Sequence, residues 1–415
     1  MSASVIDCDV AIAGGGLVGA SLALALAQLD LSVVLIEAVA VDATDQPSFD
    51  DRSSALSNGS QRIFAGLGVW SAIARDATPI RRVHISDQGR FAFARLSAAE
   101  EGLDALGYVV TNRVMGAALW ESLSRSTVRI IAPAHVTTTS CEEKVRRVVC
   151  VDAAGQEIVV AARLAVAADG ARSALREAAG IGAQTWDYKQ VALVTNVFTQ
   201  RFHDYVAYER FTPTGPIALL PLSEGRMGFI WTLAPELAQA VAELPDADFL
   251  ARAQQAFGFR LGRLTRVGTR QLYPLSLTRA DHHVAERFAV VGNAAQALHP
   301  IAGQGFNLGL RDAVSLAEVL ADARSGTAFD PGNGLLLERY RTWRNDDRQR
   351  IVRFTDGLVR LFSQPFAPVK FLRDAGMLAF DLLPPAKSAL AQLSLGAAGR
   401  VPRLARGGRL LEDRL

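Results

Sequence analysis

The sequence predicts an α/β protein: a parallel sheet covered by helices, a second domain built on an antiparallel sheet, and a helical segment at the C-terminal end. Three observations carry that prediction. Near the start, an apolar strand runs into Gly14, Gly16 and Gly19, spaced G-x-G-x-x-G, and then into a helical run. Much further on, Phe288 to Val291 is another short apolar run that stops at a glycine. From about Gly305 the spacing there becomes helical, with Leu310, Ala313, Ala317 and Leu320 on one face. Between the two, Gln190 to Leu233 breaks into VALVTNVF, YVAYERF, GPIALLPL and RMGFIWTL. These strand-like pieces are separated by Gly, Pro, Ser and Thr, with no helix intervening.

At 415 residues the chain is too long for one simple core, and two domains plus an appendage is the natural division. Val5 to Ala13 forms the first strand and Ala20 to Leu29 the helix behind the glycines. Ser32 to Ile36 forms a second strand ending at Glu37, 18 residues past Gly19. Set between strand, helix, strand and acid, the glycine motif reads as a dinucleotide site. The turn from Gly14 through Gly16, Leu17 and Val18 to Gly19 would offer its amides to a pyrophosphate, and the Glu37 carboxylate would accept two ribose hydroxyls. Asp51 to Trp70 carries Arg52 ahead of a helix that begins near Ser57, and Thr111 to Leu123 has helical spacing with Asn112 at its start. Leu164 to Ala168 is another buried strand, leading into AADGARSALREAAG. There Asp169, Gly170, Arg172 and Arg176 read either as a polar turn beside a cofactor groove or as a plain N-capped helix. The domains then divide as 1–80, 108–180 and 284–345 for the parallel sheet, 81–107 and 181–283 for the second sheet, and 346–415 for the C-terminal segment.

The downstream loop is where the chemistry concentrates. Gly292, Gly303 and Gly305 leave the backbone free of Cβ atoms where it must pass a flat ligand, and the helix start adds free N–H groups and partial positive charge. A group that becomes anionic on reduction, such as the pyrimidine edge of a flavin, would be held there at little reorganisation cost. Glycines needed only for packing are the plainer account. The run HPIAGQGFNLGLRD, His299 to Asp312, matches H-P-x-A-G-Q-G-x-N-x-G-x-x-D at every fixed position.

On these residues the chain resembles the ubiquinone-biosynthesis hydroxylases, the UbiH and Coq6 group of flavin-dependent aromatic monooxygenases. The resemblance implies FAD in a Rossmann-like domain of the class A aromatic hydroxylase type, NADH or NADPH as transient reductant, and O2 as co-substrate. It implies a polyprenylated phenol as substrate, hydroxylated through a flavin C4a-hydroperoxide. It places Arg52, Asn112 and Asp169 along the cofactor and makes Pro300, Gly303 and Gly305 the reaction loop, with Gln304, Phe306 and Asn307 beside the flavin. His299 would position that loop. The family normally ends the preceding strand in Gly-Asp; here the pair is Gly292 and Asn293, whose amide oxygen can still accept a ribityl hydroxyl. GNAAQALHPIAGQG as a whole looks most like the branch that hydroxylates 2-polyprenyl-6-methoxyphenol. The competing readings are hydroxylation at another ring position, a flavin oxidase or reductase on the same fold, and a scaffold of the quinone-synthesis complex that has lost turnover.

Lys and Arg (44) nearly balance Asp and Glu (42), so no broad basic surface for nucleic acid is implied, although five arginines follow Gly399. Mean hydropathy is high at +0.17. Even so, the longest apolar runs are cut by Asp30 and Asp381, and no export leader opens the chain, so the expectation is a cytoplasmic protein. Cys8, Cys141 and Cys150 are too few and scattered for a disulfide framework or a metal cluster, and no metal is expected. The arginine-rich stretch Arg339 to Arg353 and the apolar, proline-broken stretch Phe354 to Leu395 read two ways. They form a solvated face over a small helical core, or they dock on the inner membrane or on proteins of a quinone-synthesis complex.

Overall fold

The computed structural model describes residues 4–40, 52–90, 93–298, 303–324, 329–363, 391–392, 395–396 and 399–411. Strands Phe288–Val290, Glu157–Ala167, Ser4–Ala13, Val33–Ile36 and Arg129–Ile131 lie side by side in that order, all parallel. Their near-continuous Val, Ile, Leu and Ala content follows from burial on both faces. Val10, Ile12, Val33 and Leu35 pack against the helices, while Ala11, Ala13, Val34 and Ile36 pack toward Val148 and Val160. A hairpin not foreseen from the sequence, Ala134–Glu142 with Val145–Asp152, adds antiparallel to the first half of Glu157–Ala167.

Register decides where a ligand can go. Ile131, Ile36, Ala13, Ala167 and Val290 stand opposite one another across the sheet. Each strand therefore releases its next residues at the same end: Glu37, Gly14, Asp169 and Gly292. Ligands of open α/β sheets bind beyond this carboxyl end.

Behind the sheet, helix Leu17–Ala27 packs against helix Gln304–Ala323, which packs in turn against the long helix Gly334–Ser363. Gln304–Ala323 is buried all round. Its charged residues Arg311, Asp312 and Glu318 are buried with it. Asp312 meets Arg344 (2.7 Å) and Arg348 (3.1 Å) from the long helix, and Arg311 meets Asp347 (3.0 Å). The expected solvated face on Arg339 to Arg353 is thus corrected at Arg344 and Arg348, both buried. An i, i+4 arginine pair facing an acid on a neighbouring helix is pulled inward, because burial is tolerated once the charges are matched.

The second sheet runs Gln296–Ala297, Gln271–Ala280, Ala183–Thr199, Arg226–Leu233, Ile217–Pro221, Val206–Phe211, Arg82–Asp87, Phe93–Ser97. Its neighbours are antiparallel with one exception. Val206–Phe211 runs parallel to Arg82–Asp87, so the antiparallel expectation is corrected at that pair alone. Those strands lie more than a hundred residues apart in sequence, and no turn signal sets their direction. One face packs Leu193, Ile217, Leu219, Phe229 and Trp231 against helices Pro235–Ala242 and Asp246–Phe257. From the other face, Ala207 and Leu220 meet Ala55, Ile80 and Val109 of a small sheet (Ser53–Ser57, Gly107–Thr111, Thr78–Ile80) wedged between the two large ones.

Residues 399–411 dock on the first domain. Arg400 lies 3.9 Å above the Trp343 ring, and Arg403 pairs with Glu318 and Asp322. Leu404 and Ala405 are buried against helix Asn58–Gly66. The greater part of the apolar stretch after Phe354 lies outside the described residues. Among those described, no helix is long and apolar enough to cross a membrane. Cys8 and Cys150 are buried, and burial pushes their thiols up to about 12 and about 11, which keeps them unreactive.

Candidate active site

The first glycine motif divides its labour. Gly14 has φ +99°, and a Cβ there would sit 2.5 Å from the Ala168 carbonyl oxygen. A Cβ on Gly19 would run into the Gly14 carbonyl, and one on Gly15 would lie 2.7 Å from the Trp120 ring. These three are glycine so that strand, helix and Trp120 can close up. A Cβ on Gly16 would meet nothing within 4 Å among the described residues. It is the N-cap of helix Leu17–Ala27, with no side-chain cap and no acid in the first turn. The amides of Leu17, Val18 and Gly19 thus keep roughly half a positive charge uncompensated by any cap. Glu37 is fixed beside them, accepting from the Gly15 N–H through one oxygen and from the Val39 N–H (3.0 Å) through the other. Each carboxylate oxygen retains a lone pair for a hydroxyl.

The second glycine stretch comes to the same place. Gly292 has φ +61°, and a Cβ there would lie 3.1 Å from Val18. One on Gly309 would lie 2.9 Å from the Gly292 Cα and 3.2 Å from Val18. The first turn of one helix, the turn after strand Phe288–Val290 and the second turn of the other helix therefore meet at one point. Gly303 caps helix Gln304–Ala323 in the left-handed conformation (φ +60°), again with no side-chain cap and no first-turn acid. Among the described residues, only Leu298, at 4.0 Å, comes near a Cβ placed on Gly305.

Side chains in this stretch have distinct surroundings. Asn307 accepts from the Ser57 N–H (2.9 Å) and the Ser60 hydroxyl (2.7 Å) and donates to the Ala55 and Gly303 carbonyls (2.9 and 2.8 Å). It therefore holds the loop, with its amide fully taken up inside the protein. Phe306 stacks on Phe64 with ring centroids 6.2 Å apart. Gln304 is buried, and Asn293 is exposed between buried Gly292 and Ala294. His299 and Pro300 lie outside the described residues.

The remaining expected residues gather at the same seam. The Arg52 guanidinium lies 4.9 Å above the Tyr273 ring, and the Arg52 carbonyl accepts from the Asn112 N–H at 2.8 Å. Helix Asn58–Gly66 is capped by Ser57, whose hydroxyl accepts from the Ser60 N–H, so Arg52 is not its cap. The Asn112 amide oxygen accepts from Ser54 (2.8 Å). Asp169 accepts from the Ser173 hydroxyl and the Leu175 N–H (3.0 Å), the capping arrangement that the sequence left open. Burial raises its pKa, and those two hydrogen bonds only partly offset the rise. Arg176, read as part of a polar turn, points inward instead. It donates to the carbonyls of Ala171 (3.1 Å) and Ala294 (3.0 Å) and so ties the Asp169 turn to the Gly292 turn.

The FAD binding domain family matches residues 7–355. The chain is 39% identical over 405 residues to Ubiquinone hydroxylase UbiL of Rhodospirillum rubrum, covering 96% of this chain and 92% of that one. It is 34% identical over 379 residues to 3-demethoxyubiquinol 3-hydroxylase of Escherichia coli, covering 90% and 94%. The chain belongs to the FAD-dependent ubiquinone-biosynthesis hydroxylases. Among solved structures, p-nitrophenol 4-monooxygenase of Pseudomonas putida shares the fold, with TM-score 0.78 and 20% identity over 96% of this chain and 100% of that one. This hydroxylase is a flavin-dependent aromatic monooxygenase whose cofactor is FAD, and NAD(P)H and O2 are typical of its class.

The geometry fits that cofactor on its own terms. Two helix starts, each capped by a glycine and lacking an acid, sit on helices in mutual contact at the carboxyl end of the parallel sheet, with Glu37 at one side. What sequence reasoning missed in this hydroxylase is mostly pairing at a distance. Gly15 needs Trp120, Arg176 needs the Gly292 turn, and Asp312 needs Arg344 and Arg348. The three consecutive glycines and the i, i+4 arginines were the available signals.

Proposed function

We propose that this hydroxylase converts 2-polyprenyl-6-methoxyphenol to 2-polyprenyl-6-methoxy-1,4-benzoquinol, consuming NAD(P)H and O2 and placing the new hydroxyl para to the phenol oxygen. The observation that carries the reading is the seam itself. An apolar face of the second sheet, with Ala207 and Leu220, lies against Ala55, and Ala55 is 3.3 Å from where a Cβ on Gly303 would stand. A ring held on that wall is offered to the loop, and its prenyl tail finds apolar surface.

Bound FAD supplies the activation of O2 that an electron-rich phenol lacks by itself. The chain's part is to hold and to exclude water. The amides at Gly16, Leu17, Val18 and Gly19 take the pyrophosphate, and Glu37 takes the adenosine ribose. Arg52, Asn112, Asp169, Gly292 and Asn293 line the groove between the two ends. The backbone at Gly303, Gln304, Gly305, Phe306 and Asn307 meets the pyrimidine edge, and His299 and Pro300 belong to the same loop. The domain division at 81–107 and 181–283 puts the substrate wall in the second domain. The run GNAAQALHPIAGQG supports the para position, whereas the names of the Escherichia coli and Rhodospirillum rubrum relatives keep another ring position as the second reading. Docking at the inner membrane through residues 346–415 would bring in the lipid-soluble substrate.

The test is turnover by the yellow, FAD-loaded protein. NADH oxidation should rise with a prenylated methoxyphenol, and the product should be the 1,4-quinol. Oxidation that phenols leave unchanged and that yields only peroxide would overturn the reading.

A further inference from the structure

Register across the second sheet puts one carboxyl group in the middle of the substrate wall. Ala94 stands opposite Ile85, Ile85 opposite Glu209, Glu209 opposite Ala218, Ala218 opposite Ile230, and Ile230 opposite Val194. Opposed residues share a face, so Glu209 is the single ionisable group in an otherwise apolar row. Strand alternation separates it from Tyr208, whose ring packs edge-on against Phe257 on the far side at 5.7 Å. Alternation also sets it two places from Ala207, which is packed with Ala55 and Val109 on the cofactor side. Close by, a Cβ on Gly228 would lie 2.9 Å from the Ser53 hydroxyl, so the strand after Arg52 crosses this same face.

We propose that Glu209 is the group that meets the phenol O–H of the substrate and exchanges its proton. The inference rests on the phenol hydroxylase reading and extends it to a named residue. Glu209 is half-buried and has no hydrogen-bond or ion-pair partner among the described residues. Burial pushes its carboxyl up to about 8, with no charge near enough to offset it. Asp87, two places beyond Ile85 on the neighbouring strand, is the other acid on this face, and Arg52 across the seam is stacked on Tyr273. An unpartnered acid in an apolar wall is costly to keep unless a ligand completes it. A carboxyl tuned near working pH is suited to taking a proton from a phenol. The phenol O–H bond breaks, its proton passes to a Glu209 oxygen, and the electron pair stays on the phenolate, which enriches the para carbon. When the ring has gained its hydroxyl and lost the para C–H proton to water, Glu209 returns its proton to the original oxygen.

The experiment compares wild type with Glu209→Gln and Glu209→Asp, all loaded with FAD. Binding of a short-chain 2-prenyl-6-methoxyphenol and of its O-methyl ether is followed by flavin absorbance, and kcat/KM for quinol formation is measured from pH 6 to pH 9.5. Wild type should bind the phenol about tenfold tighter above the Glu209 pKa than below it, the gain of a hydrogen bond to a charged acceptor. The ether should show no such gain, and kcat/KM should rise through the same pH. Glu209→Gln should lose both slopes while still binding the ether, and Glu209→Asp should keep the slopes at a lower rate. If the Gln variant retains the phenol-specific slope, or the Asp variant loses it, the assignment to Glu209 is overturned while the hydroxylase reading stands. A wild type that forms no quinol from any prenylated phenol overturns both.

Discussion

Gly19 and Gly305 are both glycines of the cofactor groove, yet a side chain would meet different surroundings at each. At Gly19 a Cβ collides with the Gly14 carbonyl, which is backbone and has nowhere to go. Gly19→Ala should lower stability by about 1–3 kcal/mol, read as a fall in Tm for the cofactor-free protein. At Gly305 the nearest neighbour among the described residues is Leu298 at 4.0 Å, so Gly305→Val should leave Tm within about a degree or two of wild type, given the small helix penalty of a β-branched residue. It should nonetheless lose FAD, because the added methyls stand where the ring must lie. A Gly305→Val variant that purifies yellow would show that the loop does not face the flavin. The first glycine motif was readable in the sequence because its logic is local. The role of Asn307 was not, because its partners Ser57, Ser60 and Ala55 lie about 250 residues away and only the folded chain brings them together.

The two long helices are held by a charge cluster rather than by apolar contact alone. Burial pushes the Asp312 carboxyl up, but Arg348 and Arg344 outweigh it and hold it below the usual carboxylate range. Asp347, likewise desolvated but facing Arg311 and Arg344, is held at about 2. Removing one charge strands the others. Asp312→Asn should cost about 3–5 kcal/mol, measured by urea unfolding, and an unchanged midpoint would deny the cluster its structural role. Because both folded-state pKa values lie below those of the unfolded chain, the stabilisation is complete above about pH 4–5 and is lost as pH falls through the folded-state values, for Asp347 about 2. The unfolding midpoint of wild type should therefore decline over that window, more steeply than that of Asp312→Asn. The helices themselves were visible as 3.6-residue patterns. Their charged faces misled because a pattern of arginines does not reveal whether a facing helix supplies the acids.

At the scale of the whole molecule, the parallel sheet's register brings Glu37, Gly14, Asp169 and Gly292 to one end, and the second sheet closes over them from the other side. The βαβ start and the late strand, loop and helix were legible because each repeats a short, glycine-marked unit. The parallel pairing of Val206–Phe211 with Arg82–Asp87 was not, and with it went the row that isolates Glu209. The central claim is that chain segments nearly three hundred residues apart grip opposite ends of one FAD. A crystal structure of the FAD-loaded protein tests it most directly. The pyrophosphate should lie on the amides at Gly16 to Gly19 and the isoalloxazine against Gln304 to Asn307, in a single continuous density. Density at only one of the two helix starts, or a flavin lying away from both, would contradict the account.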